Sequence, residues 1–234
     1  MNWIDLHSHI LPGVDDGPRE MEDSLRMADE AMEAGCEMVF ATPHAFHASG
    51  IPRREDLVEL ARVITGKTGL PVATGYEVHI LAIVEGADPA RLCIQGTNIV
   101  LVELPLVNEV LAAGDYFSDM VKRGLAPLLA HPERYYYMKP DRLRELVERG
   151  VRTLLNSRSF SGGHGRDVKK RAEAFLREGL VNAVASDAHG PGDYTEHGEA
   201  IKRMLKEGIS PELFAPEIEG AKKHEHAGRD TEKG

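Results

Sequence analysis

Ile4-Asp5-Leu6-His7-Ser8-His9 is an apolar run that ends in two imidazoles, and the rest of the chain can be read outward from it. Alternation along a strand points His7 and His9 to one side, so two ring nitrogens can grip one cation. Taken alone, the pair fits two half-buried histidines bonded to backbone equally well. Recurrence separates the two. Further apolar runs follow at Met38–His44, Val72–His79, Asn98–Leu104, Ala126–His131, Thr153–Asn156 and Val181–His189. Their β-branched content and unbroken apolarity suit parallel strands buried on both faces. Amphipathic helices fill the gaps: one opening near Pro18 with Leu25, Ala28 and Met32 on one face, then Asp56–Ile64, Asn108–Arg123, Asp141–Arg149, Arg166–Glu178 and Glu199–Glu207. Gly35, Gly124, Gly150, Gly179 and Gly208 follow the last turns, where a left-handed residue closes a helix, and Asp141 after Pro140 reads as an N-cap. Seven strands alternating with helices, with no Pro/Gly/Ser-rich linker, predict a single α/β domain over residues 1–218, barrel-like in architecture. An open doubly wound sheet shares that periodicity. Residues 219–234 read as a charged, flexible tail.

At 234 residues the chain can bury a core without disulfide staples. Its 28 Lys and Arg against 38 Asp and Glu leave a formal charge of −10. That argues against a nucleic-acid partner, which needs a basic footprint, but not against an anionic substrate held locally. No apolar run is long enough to insert into a membrane, and Met1-Asn2-Trp3-Ile4-Asp5 lacks the basic start of a signal peptide. Cys36 and Cys93 sit in apolar stretches and read as reduced core thiols. The expectation is a soluble cytoplasmic domain.

The informative feature is where the metal-type residues fall. Nearly every predicted strand ends in them: His7 and His9, His44, Glu77, Glu103, His131, then Asp187 and His189. In a parallel barrel these ends share one face, which carries the chemistry. Val14-Asp15-Asp16-Gly17-Pro18 alone would read as a helix cap, and Thr42-Pro43-His44 as a structural histidine. Glu77 and Glu103 end apolar strands, where a buried charge needs a partner or a metal. His131-Pro132-Glu133-Arg134 adds a further imidazole and a guanidinium fork suited to phosphate or carboxylate. Counting Asp16, five histidines, two glutamates and two aspartates exceed the ligands of one zinc site and suit a multinuclear cluster with bridging carboxylates. His47, His79, His164 and His197 lie in loops or past strand ends and read as solvent-facing or supporting, and His224 and His226 lie in the tail. Tyr135-Tyr136-Tyr137 reads first as packing, with an aromatic lip for a flat substrate as the alternative.

These residues resemble the PHP (polymerase and histidinol phosphatase) family, and within it the bacterial protein-tyrosine phosphatases of capsular and exopolysaccharide gene clusters. The resemblance runs from Ile4 to about His189 and rests on Asp5-Leu6-His7-Ser8-His9-Ile10, Asp15-Asp16-Gly17-Pro18, Ala41-Thr42-Pro43-His44, Gly75-Tyr76-Glu77, Val102-Glu103, Ala130-His131-Pro132-Glu133-Arg134 and Ala185-Ser186-Asp187-Ala188-His189. It implies a distorted (β/α)7 TIM-like barrel with three divalent ions, manganese first and iron or zinc as alternatives. By analogy His7, His9, Glu77 and Asp187 hold the first ion. Glu77 bridges to a second with Glu103 and His131, while Asp16, His44 and His189 hold the third. Arg134, Asp16 and His44 are the catalytic residues of that scheme, Arg134 steadying a phosphoryl oxygen. The reaction implied is hydrolysis of a phosphotyrosine, on a partner such as the tail of a bacterial tyrosine kinase of polysaccharide synthesis, by in-line attack of a metal hydroxide.

One departure bears on the substrate. Family members often carry an Arg-Pro pair shortly after the Ser-Asp-x-His motif, whereas Pro191–Glu196 holds no arginine. Arg158 and Arg166 are the candidates to supply that cation. Two other readings remain at this stage: a small-molecule phosphatase such as one acting on histidinol phosphate, and a non-catalytic, metal-stabilised docking partner of a kinase. An amidohydrolase also opens with His-x-His but typically uses a bridging carbamylated lysine, where this chain has Glu77 and Glu103.

Overall fold

Parallel pairing joins the apolar runs into one ring. The computed structural model describes residues 2–214. Its strands are β1 (Trp3–Ser8), β2 (Cys36–Ala41), β3 (His44–Ala45), β4 (Val72–Thr74), β5 (Glu77–His79), β6 (Ile99–Glu103), β7 (Ala126–Ala130), β8 (Arg152–Asn156) and β9 (Ala183–Ala185). One sheet runs β1-β2-β4 and the other β3-β5-β6-β7-β8-β9. β2 and β3 are halves of the single run expected over Met38–His44, interrupted at Thr42-Pro43. β4 and β5 are halves of Val72–His79, interrupted at Gly75-Tyr76. Hydrogen bonds carry the pairing across both breaks: Thr42 N–H donates to Ser8 O (2.8 Å), Gly75 N–H to Ala41 O (2.8 Å) and Glu77 N–H to Pro43 O (3.0 Å). The ring closes where Asp187 N–H donates to His7 O (3.0 Å) and His9 N–H to Ala188 O (2.9 Å). The seven expected strand positions therefore form a distorted barrel rather than an open sheet.

The helices are α1 (Met21–Ala34), α2 (Arg54–Thr68), α3 (Ile80–Val84), α4 (Ala113–Lys122), α5 (Pro140–Glu148), α6 (Ser157–Ser161), α7 (Arg166–Arg177) and α8 (Asp193–Lys206). Three helix starts differ from expectation by more than two residues. α1 starts after Pro18, because Pro18 O accepts from Gly13 N–H and closes a loop instead. α4 begins later than Asn108, and α8 earlier than Glu199, just past the left-handed Gly192. Asp141 lies inside the first turn of α5, where its charge favours the helix dipole, but the cap position is Lys139. The glycines expected to close helices all have positive φ.

Two apolar layers follow from strand alternation. Leu6, Phe40, Ile99, Leu101, Leu128 and Leu154 fill the barrel lumen. Val100 and Val102, which alternate with Ile99 and Leu101, face the helices in the outer layer with Trp3, Phe117 and Phe175. Tyr135 is buried; its hydroxyl donates to Ala130 O (2.7 Å) and accepts from Leu104 N–H (3.0 Å), tying the ends of β6 and β7 together. Cys36 and Cys93 are free thiols, buried and half-buried. No helix among the described residues is long and apolar enough to cross a membrane. The expected tail over 219–234, with His224 and His226, lies outside the described residues.

β1 carries a bulge that sets where its side chains point. Asp5 stands opposite Val39 and Ser8 opposite Ala41, so three steps along β1 face two along β2. Asp5 turns outward to accept from Ser186 and from the hydroxyl of Tyr194 on α8. Leu6 enters the lumen, and the extra residue lets His7 follow it to the mouth.

Phe40 is fully buried in the lumen. Phe40→Ala is expected to lower unfolding stability by about 3–5 kcal/mol, read from the urea midpoint of metal-free protein at constant m.

Candidate metal centre

The C-terminal ends of the strands bring all nine expected ligands to one mouth. Their donor atoms form four interlocking groups, each spanning no more than 4.8 Å: His7, His131 and Asp187; His7, His9 and Glu77; His44, Glu77 and Glu103; and His9, Asp16, His44 and His189. Glu77, 1% exposed, is the hub. Its Oε1 lies 2.7 Å from His131 Nε2 and 3.2 Å from His7 Nε2, and its Oε2 3.0 Å from His44 Nδ1 and 3.4 Å from His9 Nε2. Asp187 Oδ1 stands 3.3 Å from His7 Nε2 and 3.5 Å from His9 Nε2. Asp16 is the outermost, 66% exposed, with Oδ1 3.5 Å from His44 Nε2 and 3.4 Å from His189 Nε2. Beside the family analogy, His131 also falls with His7 and Asp187, Glu103 with His44, and His9 with Asp16, His44 and His189, while His131 keeps the expected contact with Glu77.

Several donor atoms are buried and aimed inward without a hydrogen bond: His7 Nε2, His9 Nε2, His44 Nδ1 and Glu103 Oε1. Such atoms are costly unless something binds them. Imidazole and carboxylate at this spacing fit divalent cations, which would hold the ligands close without any hydrogen bond between them.

A second ring of side chains aims the ligands. Asp15 accepts from His9 Nδ1–H (2.6 Å) and from the backbone N–H of Gly17 and of His44 (3.1 and 3.0 Å), leaving His9 Nε2 free to ligate. Thr42 Oγ1 is 2.7 Å from His7 Nδ1 and does the same there. Asp187 Oδ2 accepts from Asn156 Nδ2 (2.8 Å) and Arg134 Nη1 (3.0 Å), so Arg134 is committed first to orienting a site carboxylate. Asp193 Oδ2 accepts from the backbone N–H of His189 (2.8 Å), fixing its loop. Gly17 allows the Asp15-Asp16 loop to lie on β1, since a Cβ there would sit 2.1 Å from His9 O.

Sequence reasoning passed over Asp15, Thr42, Asn156 and Asp193. Asn156 ends a predicted strand, and that position was the available signal. Thr42 shares a motif with His44, but nothing local distinguishes Asp15 as the aiming group from its neighbour Asp16. Arg158 lies 3.7 Å from Asp193 and 3.6 Å from Glu196, one residue removed from His189, while Arg166 is exposed at the start of α7. Of the other histidines, His47 is exposed and His79 caps α3. His164 is half-buried against Ser159. His197 departs from its loop assignment: it sits buried on α8, bonded to Ser157 and edge-on to Trp3.

Charge and backbone both record the crowding. Burial opposes ionisation of Glu77, yet His7, His131 and His44 hold its carboxyl well below the usual range. Burial likewise pulls His44 down, but Glu103 and Glu77 outweigh it and push the imidazole up to about 10. Without ions, protons supply the positive charge, so loading metal means expelling protons. His131 (φ 31°) and Asp187 (φ 55°) occupy the left-handed region that non-glycine residues avoid, a strain accepted at two candidate ligand positions.

The family model described as "Capsular polysaccharide synthesis, CpsB/CapC" matches residues 3–214. Tyrosine-protein phosphatase YwqE of Bacillus subtilis is 33% identical over 221 residues, covering 90% of this chain and 86% of its own. Tyrosine-protein phosphatase CpsB of Streptococcus pneumoniae is 30% identical over 200 residues, covering 80% and 82%. A crystal structure from work on YwqE and CpsB, described as unique metal-dependent tyrosine phosphatases, superposes with a TM-score of 0.79 at 31% identity over 90% of this chain and 89% of that one. An organophosphorus hydrolase mutant from Deinococcus radiodurans matches at a TM-score of 0.54 and 12% identity, a likeness of fold alone.

Asp15→Asn removes the carboxylate that orients His9 without touching a ligand atom. It is expected to weaken metal binding about 10- to 100-fold in an equilibrium metal titration. Gly17→Ala, which forces the loop off β1, is expected to lower bound metal per chain in elemental analysis of protein that remains folded by circular dichroism.

Proposed function

The chain belongs to the CpsB/CapC capsular polysaccharide synthesis family, and we infer that it is a metal-dependent tyrosine-protein phosphatase of the CpsB/YwqE type. The observation that carries the inference is the set of buried, unbonded ligand atoms at the barrel mouth. We assign three divalent ions, Mn2+ by preference, to the nine residues, with His7, His9, His44 and Glu77 each shared between two groups. The carboxylates suit Mn2+, and the imidazoles suit iron or zinc as well. The family's part in capsular polysaccharide synthesis supports a phosphotyrosyl tail of a bacterial tyrosine kinase as substrate, met in the cytoplasm.

Bound divalent ions supply Lewis acidity toward the phosphoryl oxygens and lower the pKa of water at the site. The chain's own residues do the rest. Asp15 and Thr42 hold His9 and His7 with Nε2 facing the centre, so both rings already present the nitrogen that would ligate. Asn156 and Arg134 fix Asp187 through one oxygen and leave the other toward His7 and His9. The guanidinium of Arg134, 29% exposed, keeps donors for a phosphoryl oxygen at the mouth. The tyrosine leaves as a phenolate whose parent pKa is about 10, so it needs less acid assistance than a serine alkoxide. No cysteine nucleophile takes part: Cys36 is buried in the outer layer, and burial raises its thiol pKa.

Chelation is expected to abolish phosphate release from a phosphotyrosyl peptide, and added Mn2+ to restore it. His7→Ala and Asp187→Ala should each cut turnover by more than about 100-fold and lower the metal content. Undiminished release in either variant, or in chelated protein with less than one ion per chain, would refute the assignment.

A further inference from the structure

The mouth is not symmetric. At one end His7, His131 and Asp187 are all but buried, and Asp187 is covered by Arg134 and Asn156. At the other, Asp16 is largely exposed and His44 and His189 partly so. From that open end a cleft of about 510 Å3 leads away between Val14, Asp16, His44, Phe46 and Pro52. Phe46 is 48% exposed, an unusual state for a phenyl ring two residues from a site histidine. Its ring stacks on His44 with centroids 4.3 Å apart and planes at 26°, and lies 5.9 Å from the ring of His79. These contacts hold the ring in place while leaving it open to the cleft.

We propose that Phe46 is the platform for the phenyl ring of the substrate, and so the residue that favours phosphotyrosine over an aliphatic phosphoester. The proposal rests on the tyrosine-phosphatase reading of the centre. In an aryl phosphate the ring begins one ester oxygen from phosphorus. It must therefore come to rest beside whichever residues flank the phosphoryl site, and on the open side these are His44 and Phe46. An aromatic face there gains offset stacking and apolar burial that a seryl methylene cannot match. Its support on His44 means that little side-chain freedom is lost on binding. The other exposed aromatic among the described residues is Tyr136, 69% exposed, two residues after Arg134, and it does not line this cleft.

The test has two readouts on Mn2+-loaded protein. Wild-type release of phosphate from a phosphotyrosyl peptide checks the reading of the centre by itself. Phe46 is checked by the affinity ratio of phenylphosphonate to methylphosphonate, measured by calorimetry without turnover. A parallel measure is the ratio of kcat/KM for phosphotyrosyl and phosphoseryl peptides of one sequence. Phe46→Ala is expected to lower both ratios about three- to tenfold, and Phe46→Tyr to keep them near the wild-type values. The proposal is overturned if the ratios in Phe46→Ala stay at wild-type values. Equal weakening of both phosphonates, or a fall that appears with Tyr136→Ala instead, overturns it too. Wild-type protein that binds phenylphosphonate through Phe46 yet releases no phosphate would sink the phosphatase reading and leave the aryl platform standing.

Discussion

A carboxylate buried at the mouth of a barrel is the constraint around which this molecule is organised. Glu77 cannot sit there as a bare charge; several kcal/mol would be lost on desolvation. Its two oxygens are met by imidazoles from β1, from β3 and from the end of β7, which are joined only when the ring of strands closes. The site and the barrel thus depend on each other. Closure at β9–β1 brings Asp187 to His7, and the same backbone bonds that close the ring set the ligand spacing.

Precision comes from the layer behind the ligands. Asp15, Thr42 and Asn156 each bond an atom that does not face the centre, and so settle which atom does. The bulge in β1 serves the same end by backbone means. It frees Asp5 to brace β9 and α8 from outside while His7 turns to the mouth. Left-handed backbone at His131 and Asp187 shows where local preference gives way to ligand geometry. The lumen beneath, filled by Leu6, Phe40 and Leu101, keeps water out and provides a rigid floor.

How much of this was legible beforehand differs by kind of residue. The strands were legible because burial on both faces demands unbroken apolar runs, and the ligands because metal-type side chains at the ends of such runs have few structural uses. Helix starts were less so. The α1 loop is spent on positioning Asp15 and Asp16, and α8 begins where Gly192 turns the chain, neither of which hydrophobic spacing records. His197 has the look of a loop residue, yet it fills a gap under Trp3 that only α8 packing creates.

From residues alone came the seven strand positions, the nine metal-type residues at their ends, the α/β character and the resemblance to the PHP family. These follow from periodicity and from chemistry that each short segment carries by itself. Tertiary structure decided which donor atoms lie together, bringing His131 to Glu77 as well as to His7 and Asp187, and Glu103 to His44. It also made Arg134 first a brace for Asp187, and left Phe46 bare beside His44. Those outcomes depend on the bulge in β1, the breaks at Thr42-Pro43 and Gly75-Tyr76, and the closure of the ring. Each is a property of distances between segments far apart in the chain, which no local pattern contains.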